Sequence, residues 1–161
     1  MSSPGVRGWL RVLAVAGVVV AVDQVSKAAI VARLAPGERV DLVAGFDLSR
    51  VANSGVAFGL LEDAGDALVL AVTLGALALV LGWFATDPAR PRLWIGVGLL
   101  AGGALGNLAD RVRDGAVTDF LDPPLWPAFN LADVAITAGV VVLVLSAFVE
   151  PAEPAEPAPS A

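Results

Sequence analysis

Four long apolar segments dominate this chain of 161 residues and restrict the folds open to it. Three of them carry no charge over 16 to 19 residues: 67–85, 93–109 and 134–149. The remaining segment begins at Trp9, and its charge-free core before Asp23 and Lys27, residues 12–22, covers only 11 residues. A helix needs about 20 residues to cross a bilayer core, fewer where flanking side chains reach the interface. Since so short a chain cannot surround four such helices with polar structure, it is expected to be an integral membrane protein.

The predicted fold is mainly α-helical, with four transmembrane helices. Their expected bounds are about 9–34, 65–86, 92–111 and 129–149. The first is expected to be an uncleaved helix rather than a secretory signal, because no small-residue cleavage site follows it. Residues 1–150 are expected to form a single domain. The tail 151–161 repeats Glu-Pro-Ala, a proline spacing that forbids a helix, and is expected to be disordered.

Arginine placement predicts the orientation in the membrane. Arg7 and Arg11 precede the first helix, and Arg90 and Arg92 lie in the short connection between the second and third. Basic residues in short loops favour the cytoplasmic side, which places both termini there. The longer connections, about 35–66 and 111–128, are then expected to face outward. Alternating runs at 39–43 and 46–51 predict a small extracytoplasmic antiparallel β-sheet within about 36–62.

The composition limits the chemistry of this protein. The chain has no Cys, no His and no Tyr, and its formal net charge is −6. Disulfides, thiolate zinc sites and His-dependent catalysis are therefore excluded, and the acidic balance argues against a nucleic-acid partner. Acid–base catalysis would depend on carboxylates or on Lys27, the single lysine. No metal or other cofactor is expected.

Two charged residues interrupt the first apolar segment. Asp23 and Lys27 are four positions apart, so they share one face of a helix, where an ion pair can form. A charge in mid-bilayer costs roughly 2.5–3.5 kcal/mol on insertion scales. Mutual neutralisation is one explanation of the pair, and contact with a substrate is the other. A Ser26–Lys27 nucleophile is disfavoured, because adjacent helical residues point about 100° apart.

The third segment ends in a second polar cluster. Gly102 and Gly106 belong to a stripe of small residues that lets another helix approach closely. Asn107 and Asp110 follow on the same face of the helix, at i and i+3. Asp110 with the adjacent Arg111 is either an ion pair at the helix end or part of a functional site.

Two further acids lie on either side of a proline-rich loop. Asp119 has apolar neighbours, and Asp133 stands three residues after Asn130, which is also a plausible cap of the fourth helix. If the loop folds back, both carboxylates meet at a water-accessible edge of the membrane. Two close carboxylates do not both ionise easily, so one keeps a proton. The ionised acid can then deprotonate a water while the other donates to an amide carbonyl, as hydrolysis requires.

Two other classes of protein fit these acids. A small transporter or proton-conducting protein would use Asp110, Asp119 and Asp133 as a relay. A non-catalytic membrane scaffold would use the polar residues as hydrogen bonds between helices.

Five motifs in sequence order resemble those of the bacterial lipoprotein signal peptidases, the signal peptidase II family. They are Asp23-Gln24-x-Ser26-Lys27, Asn53-Ser54-Gly55-x-Ala57-Phe58, Gly102-Gly103-Ala104-Leu105-Gly106-Asn107-x-x-Asp110-Arg111, Val117-Thr118-Asp119-Phe120 and Phe129-Asn130-x-Ala132-Asp133. The resemblance spans residues 23–133.

The resemblance implies a membrane aspartyl endopeptidase that cuts prolipoproteins just before a diacylglyceryl-modified Cys. Its catalytic pair would be Asp119 and Asp133, while the cation of Arg111 would keep Asp110 ionised in a supporting role. The expected enzyme is a monomer in the bacterial cell membrane, in contact with lipid, with its active site near the outer face. Supporting or substrate-binding roles are implied for Asp23, Lys27, Asn53, Gly106, Asn107, Asp110, Arg111, Asn130 and Ala132.

Overall fold

The structure is a computed structural model that describes residues 3–43, 45–54 and 65–148. Four helices form most of this described part. Their bounds are α1 Pro4–Val31, α2 Gly65–Thr86, α3 Leu93–Asp114 and α4 Leu131–Phe148. By length and composition, each has a stretch able to cross a membrane, which confirms the predicted fold class. Gly55, Ala57 and Phe58 of the second motif, and the predicted tail, lie outside the described residues.

Local sequence signals explain two helix ends that differ from the expected bounds. α1 begins at Pro4, earlier than predicted, because the Ser3 hydroxyl accepts from the Val6 N–H and Pro4 suits the first helical position. α3 continues past Arg111 to Asp114. It stops at Gly115, whose φ of +74° is accessible to glycine at little cost, and whose N–H donates to the Arg111 carbonyl.

α3 is the central helix of the bundle. About 61% of its span is buried inside the protein, against 17% or less for the spans of the other three helices. Its glycines permit this position: a Cβ on Gly102 would lie 2.9 Å from the backbone of Ala16 in α1. A Cβ on Gly96 would lie 2.7 Å from the Leu143 side chain of α4. Glycines on two sides of α3 therefore permit close packing, Gly102 against α1 and Gly96 against α4.

A three-stranded antiparallel sheet lies against one end of the bundle, called the sheet end below. Its strands are β1 Arg39–Val43, β2 Phe46–Asn53 and β3 Val117–Asp122, in the order β1-β2-β3. The predicted sheet is thus confirmed, but the sequence reading missed β3. Within the β2–β3 register, Val51 lies opposite Asp119. Pairing with β2 therefore holds Asp119 at the sheet end.

The proline-rich loop returns the chain from β3 to the start of α4. Phe129 forms an isolated antiparallel bridge with Leu121, and its N–H donates to the Leu121 carbonyl at 2.9 Å. The Phe129 carbonyl accepts from the Leu121 N–H at 2.8 Å. These bonds place the first turn of α4, and with it Asp133, beside β3.

Candidate active site

A cluster of buried polar side chains lies where α1, α3, β3 and α4 meet. Each of its members is at most 7% exposed. Buried polar and charged groups are costly unless they are paired, so the partners of each determine what the cluster can do. The members are Asp23, Lys27, Asn107, Asp110, Asp119 and Asn130.

The Lys27 ammonium holds one part of this cluster together. Its Nζ lies 2.8 Å from Asp23 Oδ2, 2.8 Å from Asp110 Oδ2 and 2.9 Å from Asn107 Oδ1. The predicted ion pair with Asp23 is therefore confirmed, and α3 supplies two further acceptors. An ammonium has three N–H donors, and here three acceptors lie within reach.

Gly106 and Ala132 complete the surroundings of Asp23. The second carboxylate oxygen of Asp23 accepts from the Ala132 N–H at 3.0 Å, which ties α1 to the start of α4. A Cβ on Gly106 would lie 2.6 Å from Asp23 Oδ2, so the absence of a side chain there admits the carboxylate. Both motif positions thus serve the packing around Asp23.

Asp110 has an additional set of partners at the end of α3. It accepts from Gln24 Nε2 at 2.8 Å and from the Thr118 N–H at 3.4 Å. It also forms an ion pair with Arg113 Nη2 at 3.1 Å, three residues on, which the sequence analysis did not name. The i, i+3 spacing carried this signal and was overlooked. Gln24 was part of a quoted motif but had been given no role.

Asp119 is 2% exposed and is held by two amides. Asn53 Nδ2 donates to its Oδ2 at 2.8 Å, and Asn130 Nδ2 donates to its Oδ1 at 2.6 Å. Burial and, to a lesser extent, the nearby charge of Asp133 raise the pKa of Asp119, while both amides and the Lys27 charge lower it, and the net result is a pKa of about 6. Asp119 therefore keeps its proton to a higher pH than an ordinary aspartate does.

Asp133 lies in the first turn of α4, where Asn130 caps the helix. The Asn130 side-chain oxygen accepts from the Asp133 N–H at 3.1 Å, and Asp133 Oδ2 accepts from the Asn130 N–H at 3.2 Å. This reciprocal pair is a capping box, so the capping interpretation is confirmed. The other carboxylate oxygen accepts from Asn107 Nδ2 at 2.8 Å.

A cavity of about 720 Å³ opens beside these two acids. Among the described residues that line it, Asp119 and Asp133 are the carboxylates, and Arg111 is the cation. Asp23 and Asp110 are bound to Lys27 and are absent from that lining. The other lining residues are mainly apolar: Asn53, Val69, Thr73, Asn107, Val117, Trp126, Pro127, Ala128, Phe129, Val134, Ile136, Thr137 and Ala138.

The fold and the site define a polytopic membrane protein with a pair of aspartates in a cavity at one end of its helices. Residues 15–149 match the model of the family described as signal peptidase (SPase) II, and the chain belongs to that family. The resemblance noted from the five motifs is thereby confirmed.

Individual relatives agree with this assignment. The chain is 46% identical to a lipoprotein signal peptidase of Pelotomaculum thermopropionicum over 127 residues, which cover 78% of this chain and 84% of that protein. It is 43% identical to one from Moorella thermoacetica over 132 residues, covering 81% and 88%. A bacterial membrane enzyme solved at 1.9 Å matches with a TM-score of 0.76 and 29% identity, covering 87% of this chain and 94% of that one.

Replacement of Asn53 is expected to shift the pH dependence of the peptidase activity. In Asn53→Ala the ionised form of Asp119 loses a hydrogen bond, which raises the pKa of Asp119. The alkaline limb of the pH profile of kcat/KM should then move upward by about one pH unit, because a lost hydrogen bond of about 1.4 kcal/mol corresponds to one pKa unit. The matched control is Ser54→Ala, at the exposed next residue, which should leave the limb unchanged. An unmoved or lowered limb in Asn53→Ala would contradict this reading of the electrostatics.

Proposed function

We propose that this signal peptidase II removes signal peptides from prolipoproteins by aspartic catalysis, with Asp119 and Asp133 as the catalytic pair. The observation that carries this assignment is their shared position on the wall of one cavity. Curated relatives that cover most of the chain are named lipoprotein signal peptidase, which supports the substrate class.

The environment of the pair suits peptide hydrolysis. With a pKa of about 6, Asp119 is the member to which we assign the shared proton, and we assign Asp133 the role of general base. Asp133 removes a proton from water, and the water oxygen attacks the carbonyl carbon of the scissile amide. Asp119 donates its proton to the carbonyl oxygen. As the tetrahedral intermediate collapses, one of its hydroxyl groups returns a proton to Asp119 and the C=O bond forms again. The C–N bond breaks, and the leaving nitrogen takes a proton from the Asp133 carboxyl group.

The remaining polar residues support this chemistry. Asn53 and Asn130 fix both oxygens of Asp119, and Asn107 fixes one oxygen of Asp133. We assign Arg111, on the cavity wall, to the substrate, where its guanidinium can bind a backbone carbonyl.

The geometry favours the peptidase over a proton relay. A relay would require Asp110 to continue the path from Asp119 and Asp133. Asp110 is instead occupied by Lys27, Gln24 and Arg113, and the cavity lining does not include it.

The membrane setting of the proposal follows from the apolar cavity wall. Val69 and Thr73 of α2 and Val134 and Ala138 of α4 line it, so a lipidated substrate can keep its acyl chains in the bilayer while its backbone reaches the acids. The cut would fall just before a diacylglyceryl-modified Cys. We place the sheet end at the outer face and both termini in the cytoplasm, and we assign a monomer, because one chain supplies both acids.

Either Asp119→Asn or Asp133→Asn should abolish cleavage of a diacylglyceryl-modified prolipoprotein by the purified enzyme in detergent. Without one carboxyl group the pair can no longer both activate water and protonate the carbonyl. The expected loss in kcat is about 1,000-fold or more. The matched control is Asp122→Asn, on the same strand as Asp119, which should cleave at the wild-type rate. Release of signal peptide at a near-normal rate by either active-site variant would overturn the assignment.

The absence of native cysteine permits a direct test of the orientation. Ser54→Cys lies at the sheet end, and Ala89→Cys lies in the turn between α2 and α3; both positions are exposed. In intact spheroplasts a membrane-impermeant maleimide should label the first, and it should label the second only after permeabilisation. The reverse pattern would contradict the proposed topology.

A further inference from the structure

Lys27 is buried, charged and absent from the cavity lining, so the proposed reaction does not use it directly. It nevertheless lies at the start of a chain of hydrogen bonds that reaches both aspartates. Asn107 Oδ1 accepts from Lys27 Nζ at 2.9 Å and also from Asn130 Nδ2 at 3.1 Å. Asn107 Nδ2 donates to Asp133, and Asn130 Nδ2 also donates to Asp119.

The direction of this chain is determined by what each group can donate. An ammonium has donors and no acceptor, so Asn107 has to turn its oxygen toward Lys27. Its NH₂ group then has to point the opposite way, toward Asp133. In this orientation the Asn107 oxygen also accepts from the Asn130 NH₂ group, and the Asn130 oxygen accepts from the Asp133 N–H.

We propose that Lys27 is a positioning residue that fixes the amide of Asn107, so that Asn107 and Asn130 both direct NH₂ groups at the aspartates. The proposal rests on the catalytic pair assigned above. If the Asn107 amide were flipped, its oxygen would face the Asp133 carboxylate, which is a repulsive contact. Lys27 adds to the cost of the flip, since the flipped amide would also direct its NH₂ group at the Lys27 ammonium.

Other charged groups surround Lys27 and have to be separated from its effect. Asp23 comes from its own helix and Asp110 from α3, with Arg113 behind it. On the cavity side lie Asp119 from β3, Asp133 from α4 and Arg111 from α3. Removal of Lys27 alone would therefore leave an excess of buried negative charge.

A charge-balanced double variant avoids this problem. Lys27→Met with Asp23→Asn removes the ammonium together with its i+4 partner, while an amide oxygen at position 23 can still accept from the Ala132 N–H. The alkaline limb of kcat/KM for prolipoprotein cleavage is expected to move upward by roughly half a pH unit, because the aspartates lose donors to their ionised forms. The matched control is Arg39→Met with Asp122→Asn, which removes an ion pair from the sheet and should leave the limb in place.

A second mutant background distinguishes an effect of Lys27 through the Asn107 amide from a long-range effect of its charge. In Asn107→Leu the amide is absent, so the same double change at 23 and 27 should no longer move the limb. An equal shift in both backgrounds would mean that Lys27 acts through space, and would overturn the proposal. An unmoved limb in the double variant alone would also overturn it.

One more variant keeps the proposal testable if the double variant does not fold. Asn107→Asp retains a partner for Lys27 but places an oxygen opposite Asp133, and it should move the alkaline limb upward at least as far. A wild-type limb in Asn107→Asp would contradict the proposal. Failure of the catalytic assignment is distinguishable, since Asp119→Asn and Asp133→Asn would then remain active whatever the limb does.

Discussion

The arrangement of this site depends on the buried ammonium of Lys27. Removing such a cation from water costs several kcal/mol unless its donors are satisfied. Here Asp23 of α1 and both Asp110 and Asn107 of α3 satisfy them, and Asp23 in turn accepts from the backbone of Ala132 at the start of α4. One charge thereby links three helices at the level where the aspartates lie.

The sheet supplies what the helices alone lack. β3 carries Asp119 and pairs with β2, which ends in Asn53, a direct partner of the Asp119 carboxylate. The bridge between Leu121 and Phe129 then brings Asn130 and the first turn of α4 against the same strand. The second acid therefore comes from a helix and the first from a strand, and asparagines join them. Such a site can be rigid because each carboxylate has fixed donors.

Much of this could be predicted from the sequence, for physical reasons. Charge-free segments of 16 to 19 residues predict membrane helices in a chain too short to bury them, and the lack of His and Cys left carboxylates and Lys27 as the acid–base groups. β3 was missed because its partner β2 is distant in sequence, so no local turn signals the pairing. The contact of Asp110 with Arg113 depends on how α3 continues to Gly115, which composition could not establish. The convergence of Gln24 on Asp110 likewise depends on the packing of α1 against α3.

Direct titration of Asp119 is the measurement that most directly tests whether Asp119 and Asp133 act as one coupled pair. Protein labelled with ¹³C at the aspartate carboxyl carbons would be titrated by NMR in detergent, with Asp119→Asn used for assignment. Coupling of the pair predicts an Asp119 pKa of about 6, and a lower Asp119 pKa in Asp133→Asn, because the neighbouring charge that raises it is gone. An Asp119 pKa near the ordinary value of 3.8, unmoved in Asp133→Asn, would contradict it.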